Sequence, residues 1–444
     1  MTTAIKYKPY SKYKPSGTDW IGEVPGEWEI KRLRYYFDYH AGGVWGGEEN
    51  GNGNNMICFR VADFDFNHLG LSENDLTVRN IPENQHSRIL KKGDILLEKS
   101  GGGEKQTVGR AVRFDQNIRA VCSNFIEKLT PVGTHNSKFI SYLMGALYFE
   151  TINMRSIKQT TGIQNLDLYS YLCEVVPFPS KETQKVIADF LDRETEKIDG
   201  VMGKKQKLIE LLKEKRQALI TRAVTKGLDP KAKMKPSGID WIGELPKNWE
   251  VKRLKYVAKS NESSLAEDTD PGYSFKYLDI GNVGTGYILE EPAEISFENA
   301  PSRARRIVKK NDTIISTVRT YLKAIYHFEN DPVNIIVSTG FAVIRVSEKL
   351  TPKFFYYLSL SESFIDSVVS NSYGVSYPAI NESFLMTLPV WYPKIEEQEK
   401  IVSSLDRETG EIDEVIKKVE TQIEKLQEYR QALISNAVTG KIKV

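Results

Sequence analysis

One phrase occurs twice in this chain. "KPSGTDWIGEVP" at 14–25 returns as "KPSGIDWIGELP" at 235–246, and "WEIKRLRY" from Trp28 returns as "WEVKRLKY" from Trp249. Further on, "LDRETEKID" from Leu191 is matched by "LDRETGEID" from Leu405, and "RQALITRAVT" from Arg216 by "RQALISNAVT" from Arg430. An internal repeat constrains architecture more than any single motif, because each copy must bury its own apolar surface or share it with its twin. The phrases recur in the same order. The chain is built twice from one plan.

A long helix closes each copy. In the second, Leu405, Ile412, Val419, Leu426 and Leu433 recur every seven residues, with Thr409, Ile416, Ile423, Arg430 and Ala437 four places on. The first keeps that register through Leu191, Ile198, Lys205, Leu212 and Leu219, beside Thr195, Met202, Ile209, Arg216 and Ala223. Rows at this spacing predict a coiled-coil seam, on which Lys205 and the two arginines set register at some cost in stability. Gly200 and Gly203 weaken the first helix by about 1 kcal/mol each relative to Ala. Gly227 and Pro230 end it.

Before each helix the texture changes to short β-type runs split by Gly, Asn and Pro, such as "DILLEKS" and "DTIISTV", which predict mixed α+β domains. "KKGDILLEKS" from Lys91 corresponds to "KKNDTIISTV" from Lys309; "SKFISYLMGALYFE" and "TPKFFYYLSLSESF" each predict one amphipathic helix. The expected fold is α+β, with two mixed globular domains separated by two long antiparallel coiled-coil helices in a pseudo-two-fold repeat. The expected divisions are an N-terminal segment and junction (1–27), a first globular domain (28–180) and a central helix (181–227). A linker with the repeated junction (228–248), a second globular domain (249–393) and a C-terminal helix (394–444) follow. A helix of about 40 residues is roughly 60 Å long, so such a spacer would set the distance between whatever the two heads bind.

Composition narrows the class. The 444 residues are 40% apolar and 27% charged, in the range of globular proteins. Cys58, Cys122 and Cys173 are odd in number, lack metal-ligand spacing and all lie in the first copy, which fits a reduced, cytoplasmic setting. No run approaches the roughly 18 apolar residues of a membrane span, so no membrane partner is expected. A net charge of +2 decides nothing about DNA; local clusters must.

Together, "KPSGxDWIGExPxxWExKRL", "SYPAINESFLMTLPVWYPKIEEQEKIVSSLD" and its counterpart ending "FPSKETQKVIADFLDRETEKID" resemble the specificity (S) subunit of type I restriction-modification systems, over essentially the whole chain. The resemblance implies a non-catalytic subunit whose two target-recognition domains read the two parts of a split double-stranded DNA site, with the helices as a ruler for the unread gap. It implies docking of two methyltransferase (M) subunits and of restriction/translocase (R) subunits. Methyl donor and ATP would belong to those partners, with no cofactor or metal on this chain. One departure stands out. The first copy has "TGIQNLDLYSYL" where the second has "YPAINESFL", and only Asn165 and Gln184 line up with Asn381 and Gln398.

The residues themselves point to nucleic acid. Between Arg303 and Lys323 lie Arg303, Arg305, Arg306, Lys309, Lys310, Arg319 and Lys323, against Asp312 alone. The matching stretch Arg88–Arg113 holds seven basic and three acidic residues. Such clusters neutralise phosphates, with a salt slope of about −0.9 per contact on duplex DNA. Base edges are read by Arg or Lys at guanine and by Asn or Gln at adenine. Loops after the KKxD strands offer Lys99, Lys105, Gln106 and Arg110 in one copy, and Arg319, Tyr321 and Lys323 in the other. The segment preceding each long helix adds Lys158, Gln159 and Gln164, then Asn371, Tyr373 and Ser376. Trp20, Trp28, Trp241 and Trp249 are expected to anchor the junctions by packing, or to form two equivalent docking patches for partner subunits.

Three other classes would leave different marks in the sequence. A methyltransferase would need a second proline in "DPGY" at Asp270 and a strand-loop-helix frame around the glycine-rich stretch from Ala41. A metal-dependent nuclease could use Asp19 with Glu29 and Lys31, or Asp240 with Glu250 and Lys252. A coiled-coil adaptor would show only background DNA affinity.

Overall fold

A computed structural model describes residues 7–103, 106–159 and 162–444. It divides into two compact units, Met1–Lys205 with Thr421–Val444, and Gln206–Glu420. In the first, an antiparallel sheet runs in the order Ala111–Arg113, Ile95–Glu98, Ile126–Pro131, Phe37–Gly42. A second sheet sets Asn55–Phe59 between Ala120–Cys122, its parallel neighbour, and Val78–Asn80. Helix Ser137–Phe149, capped by Asn136, packs Phe139, Leu143 and Leu147 into one core with Ile95, Leu97 and Leu129 of the first sheet.

The second unit repeats this plan. Its antiparallel sheet runs Ile325–His327, Thr313–Ser316, Phe341–Val346, Ala258–Ser260. A second sheet again contains a parallel pair, Ser274–Leu278 with Ile335–Ser338. The predicted single helix from Thr351 is two, Pro352–Leu360 and Glu362–Ser370. Ser361 between them is extended, and its hydroxyl accepts from the Phe364 amide at 3.4 Å, so a capping side chain breaks the run. The KKxD turns are alike: Asp94 accepts from the Lys91 amide at 2.7 Å and Asp312 from Lys309 at 2.8 Å, both carboxylates buried. Gly93 and Asn311 supply the left-handed residue this turn requires, at φ +98° and +70°.

The long helices span Lys181–Lys226 and Ile395–Val438. Gly200 and Gly203 lie within the first without interrupting it. Repeated phrases make repeated joints. Tyr142 donates to Asp192 at 2.9 Å in the first unit, and Tyr357 to Asp406 at 2.6 Å in the second. Arg430 pairs with Asp199 at 2.9 Å in the first unit and Arg216 with Asp413 at 3.0 Å in the second. "LDRETxxID" and "RQALI" are thus two halves of one contact. Lys205 reaches Gln422 at 2.5 Å.

Junction hairpins Tyr13–Pro15/Glu23–Pro25 and Met234–Pro236/Glu244–Pro246 precede each domain. Trp28 and Trp249 are buried, and Trp249 Nε1 donates to Glu397 at 3.0 Å. Trp20 is half-buried and donates to the Val175 carbonyl at 3.2 Å. Trp241 departs from the packing expectation. It is 52% exposed, so the two junctions are not equivalent there. Asn165 is likewise not the counterpart of Asn381. Phe178 and Tyr392 hold the same place opposite Glu29 and Glu250, and eleven residues before each lie Asp167 and Asn381. Both cap short helices, Leu168–Leu172 and Glu382–Leu385. Asp and Asn are interchangeable as caps, which hid the match from a reading by identity.

His327 supplies a pH test. It is buried, hydrogen-bonded to Thr313 at 3.0 Å and stacked on Tyr356, and burial holds it down at about 4. The unfolded imidazole takes its proton near 6.5, so between pH 6.5 and 4 the unfolded state binds more protons and stability falls as pH drops. Urea unfolding should show about 2 kcal/mol less stability at pH 5 than at pH 7 from this group. His327→Phe should remove that share of the slope; an unchanged slope would refute the assignment. Among the described residues, no helix is long and apolar enough to cross a membrane.

Candidate nucleic-acid interface

In the second unit, strand Thr313–Ser316 leads through Thr317 into the turn Thr320–Leu322. Arg319 and Lys323 flank that turn at φ +51° and +52°, a conformation that non-glycine residues adopt at a cost. A second segment folds over it. Tyr373 and Ala379 exchange backbone hydrogen bonds of 2.9 Å, closing a loop turned by Gly374 at φ +115°. The two segments are stitched together by the Ile380 amide to the Thr317 carbonyl (2.8 Å) and by Thr320 Oγ1 to Ser372 Oγ (2.8 Å).

The joined surface presents the candidates Tyr321, Lys323, Tyr373 and Ser376, together with Leu322, Val375 and Tyr377, which the sequence analysis does not single out. Arg319 lies over the Tyr377 ring at 4.7 Å, a cation–π contact. Neither Arg319 nor Lys323 forms an ion pair among the described residues. Asn371 turns back instead, its amide donating to the Ser367 carbonyl at 2.8 Å. Arg303, Arg305 and Arg306 belong to another sheet, at strand Ala304–Ile307. Arg303 pairs with Asp279 at 3.1 Å, Arg305 stacks on Phe297 at 4.6 Å, and Arg306 donates to Ser264 at 3.1 Å.

The first unit joins its loops in the corresponding place. Ser100–Gly102 pairs with Gln164–Leu166, which pairs in turn with Ile157–Gln159. Here several expected readers are internal. Lys99 is bonded to Glu127 at 2.7 Å, and Arg110 to Glu98 at 2.9 Å, with Glu98 buried. Gln164 is buried and accepts from the Val108 amide at 3.3 Å. Gln106 is exposed, its side-chain amide facing the Arg110 guanidinium. Lys158 and Gln159 stand at the surface, Lys158 paired with Asp167 at 2.7 Å. Lys105 lies outside the described residues. Trp45, with Arg79 over its ring at 4.8 Å, and Phe125 add exposed aromatic surface.

Glu127, which neutralises Lys99, lies on a neighbouring strand outside the Arg88–Arg113 stretch, and Glu98 inside it is tied to Arg110, so a charge count over that stretch overstates its free cations. The nuclease reading also loses its geometry. Lys31 pairs with Glu29 at 2.5 Å and holds its carboxyl below the ordinary range. Among the described residues, no three His, Cys, Asp or Glu side chains are grouped to hold a metal.

A duplicated α+β scaffold that displays paired loops in each copy is the class of a two-site recognition protein. The family of type I restriction modification DNA specificity domains matches residues 25–211 and 246–425, and the chain belongs to it. Specificity subunits of these systems recognise DNA, while catalysis sits on partner subunits. The chain is 27% identical over 319 residues to the MjaVIII specificity subunit of Methanocaldococcus jannaschii, covering 68% of this chain and 70% of that one. It is 24% identical over 440 residues to the MjaX specificity subunit, described as putative, of the same organism, covering 96% of each. A solved structure from work on complex assembly and conformational transition of the type I R-M system shares the fold, with TM-score 0.65, 14% identity and coverage of 94% and 98%.

Proposed function

We propose that the two recognition domains bind the two parts of a split duplex target, and that the long helices pair as an antiparallel coiled coil measuring the gap between them. The observation that carries this reading is the joined loop pair found in equivalent places of both units. The duplicated Arg–Asp joints support a pseudo-two-fold arrangement in which the heads read their half-sites in opposite senses, in major grooves one to two helical turns (roughly 34 Å each) apart. Lys158, Gln159 and Gln106 of the first unit, with Arg319, Tyr321, Lys323, Tyr373 and Ser376 of the second, would contact DNA. Arg303, Arg305 and Arg306 would contact phosphate. The junctions, with exposed Trp241, are the proposed docking region for two M subunits, which R subunits join. Methyl donor and ATP would be held by those partners.

Exchanging residues 28–180 for the corresponding domain of a relative tests this. Sequencing of methylated sites in cells carrying the full system should show one half-site changed, with the other and the gap retained. A target that changes in both halves, or in the gap, would refute the division of labour. An adaptor without DNA affinity would show no mobility shift at any salt concentration, alone or with the M subunit.

A further inference from the structure

Most cations near the recognition loops are already engaged. Arg110 and Lys99 are tied to buried glutamates, and Arg303 to Asp279. Arg319 differs in three respects. It is exposed, it forms no ion pair among the described residues, and its guanidinium rests on the face of Tyr377. A stacked guanidinium keeps its plane while its edge of N–H donors stays open, so less rotamer freedom is lost when two parallel hydrogen bonds form. That edge matches the O6/N7 pair of guanine in the major groove. The stitching of Thr317 to Ile380 and the Tyr373–Ala379 closure set the segments that carry both members of the stack side by side. A phosphate-tracking lysine or arginine needs no such support, since it serves as a charge and tolerates several positions.

We infer that Arg319 reads a guanine in the half-site of the second domain, with Tyr377 as the residue that positions it. Beside them, the fully exposed Val375 and the Tyr373 ring offer apolar contact of the kind that suits a thymine methyl. The inference rests on the proposed role of the second domain as a DNA reader, and goes beyond it by naming the base and the residue.

The test uses the complex assembled with its partner subunits, a randomised library of the target, and sequencing of bound DNA. The wild-type complex should require a G·C pair at one position of the second half-site. Arg319→Ala should cut discrimination at that one position about 5- to 150-fold and leave the first half-site unchanged, which also reports that the complex is folded. Arg319→Lys should recover part of it. Tyr377→Leu should lower selectivity at the same position without moving the position. The inference is overturned if the second half-site needs no G·C pair. It also fails if Arg319→Ala changes nothing, or weakens all sequences alike while reducing the salt slope by about 0.9, the mark of a phosphate contact. If the wild-type complex itself shows no sequence preference, the proposed function fails instead.

Discussion

Replacing Gln398 by Leu should destabilise the second unit by roughly 3 kcal/mol or more. The glutamine is fully buried at the start of the second long helix. Its oxygen accepts from the Thr351 amide at 2.7 Å, and its nitrogen donates to the carbonyls of Lys349 and Pro393, each at 2.9 Å. These groups belong to the loop that opens helix Pro352–Leu360 and to the strand exit before the long helix. Leucine fills the space but leaves three backbone groups without this partner, the Pro393 carbonyl buried and the other two part-buried, at about 1–3 kcal/mol for each that water cannot reach. Gln184 does the same work in the first unit, with the Asn136 amide, the Pro179 carbonyl and His135. Gln184→Leu should therefore weaken the first unit and spare the second. Urea unfolding with hydrogen exchange resolved by unit would check both. A loss below about 0.5 kcal/mol for Gln398→Leu would mean that the clamp is not needed.

Shortening the helices should move the two half-sites together without changing either. Removing Ile209–Lys215 and Glu414–Glu420 takes one heptad from each helix and keeps Arg216 and Asp413 at the new boundary. Seven residues correspond to about 10 Å, or about three base pairs. A heptad leaves a helix face turned by only about 20°, whereas three base pairs turn duplex DNA by more than a quarter of a turn at about 10.5 per turn. The expected result is a gap shorter by about three base pairs, read with reduced affinity because the duplex must twist to present both sites. Methylated-site sequencing of the variant system would show it. An unchanged gap would end the ruler proposal.

The repeat, the long helices and the α+β texture were legible because they follow from local periodicity and from phrases that the chain itself duplicates. Leu405, Ile412 and Leu433 are buried on the second long helix, and so is Arg430, which pairs with Asp199. What was illegible depends on contacts between distant residues. Lys99 and Arg110 look like free cations until strand pairing sets Glu127 and Glu98 beside them. The Asp167 counterpart of Asn381 was obscured because capping tolerates either residue, and only the ladder register reveals it. Trp391, whose Nε1 donates to the Val224 carbonyl at 2.6 Å, gave no signal, because nothing in its neighbourhood says which helix end it will meet. Tyr377 was visible in "SYGVSYP", yet its value lies in the arginine stacked on it, which comes from another segment.

Composition of the first unit from two separated stretches has a consequence for the birth of the molecule. Leu433, Ile434, Ala437 and Val438 complete the core around Trp28, Ile187 and Leu191, and Lys443 bonds back to Lys8 at 2.8 Å. During translation these closing pieces emerge only after everything from Gln206 to Glu420 has been made. The half begun first must wait with its greasy seat uncovered, while the half begun second is contiguous and free to settle. The unit whose first stretch is made earlier is thus the one whose core closes later, and that open core is where mispairing would start.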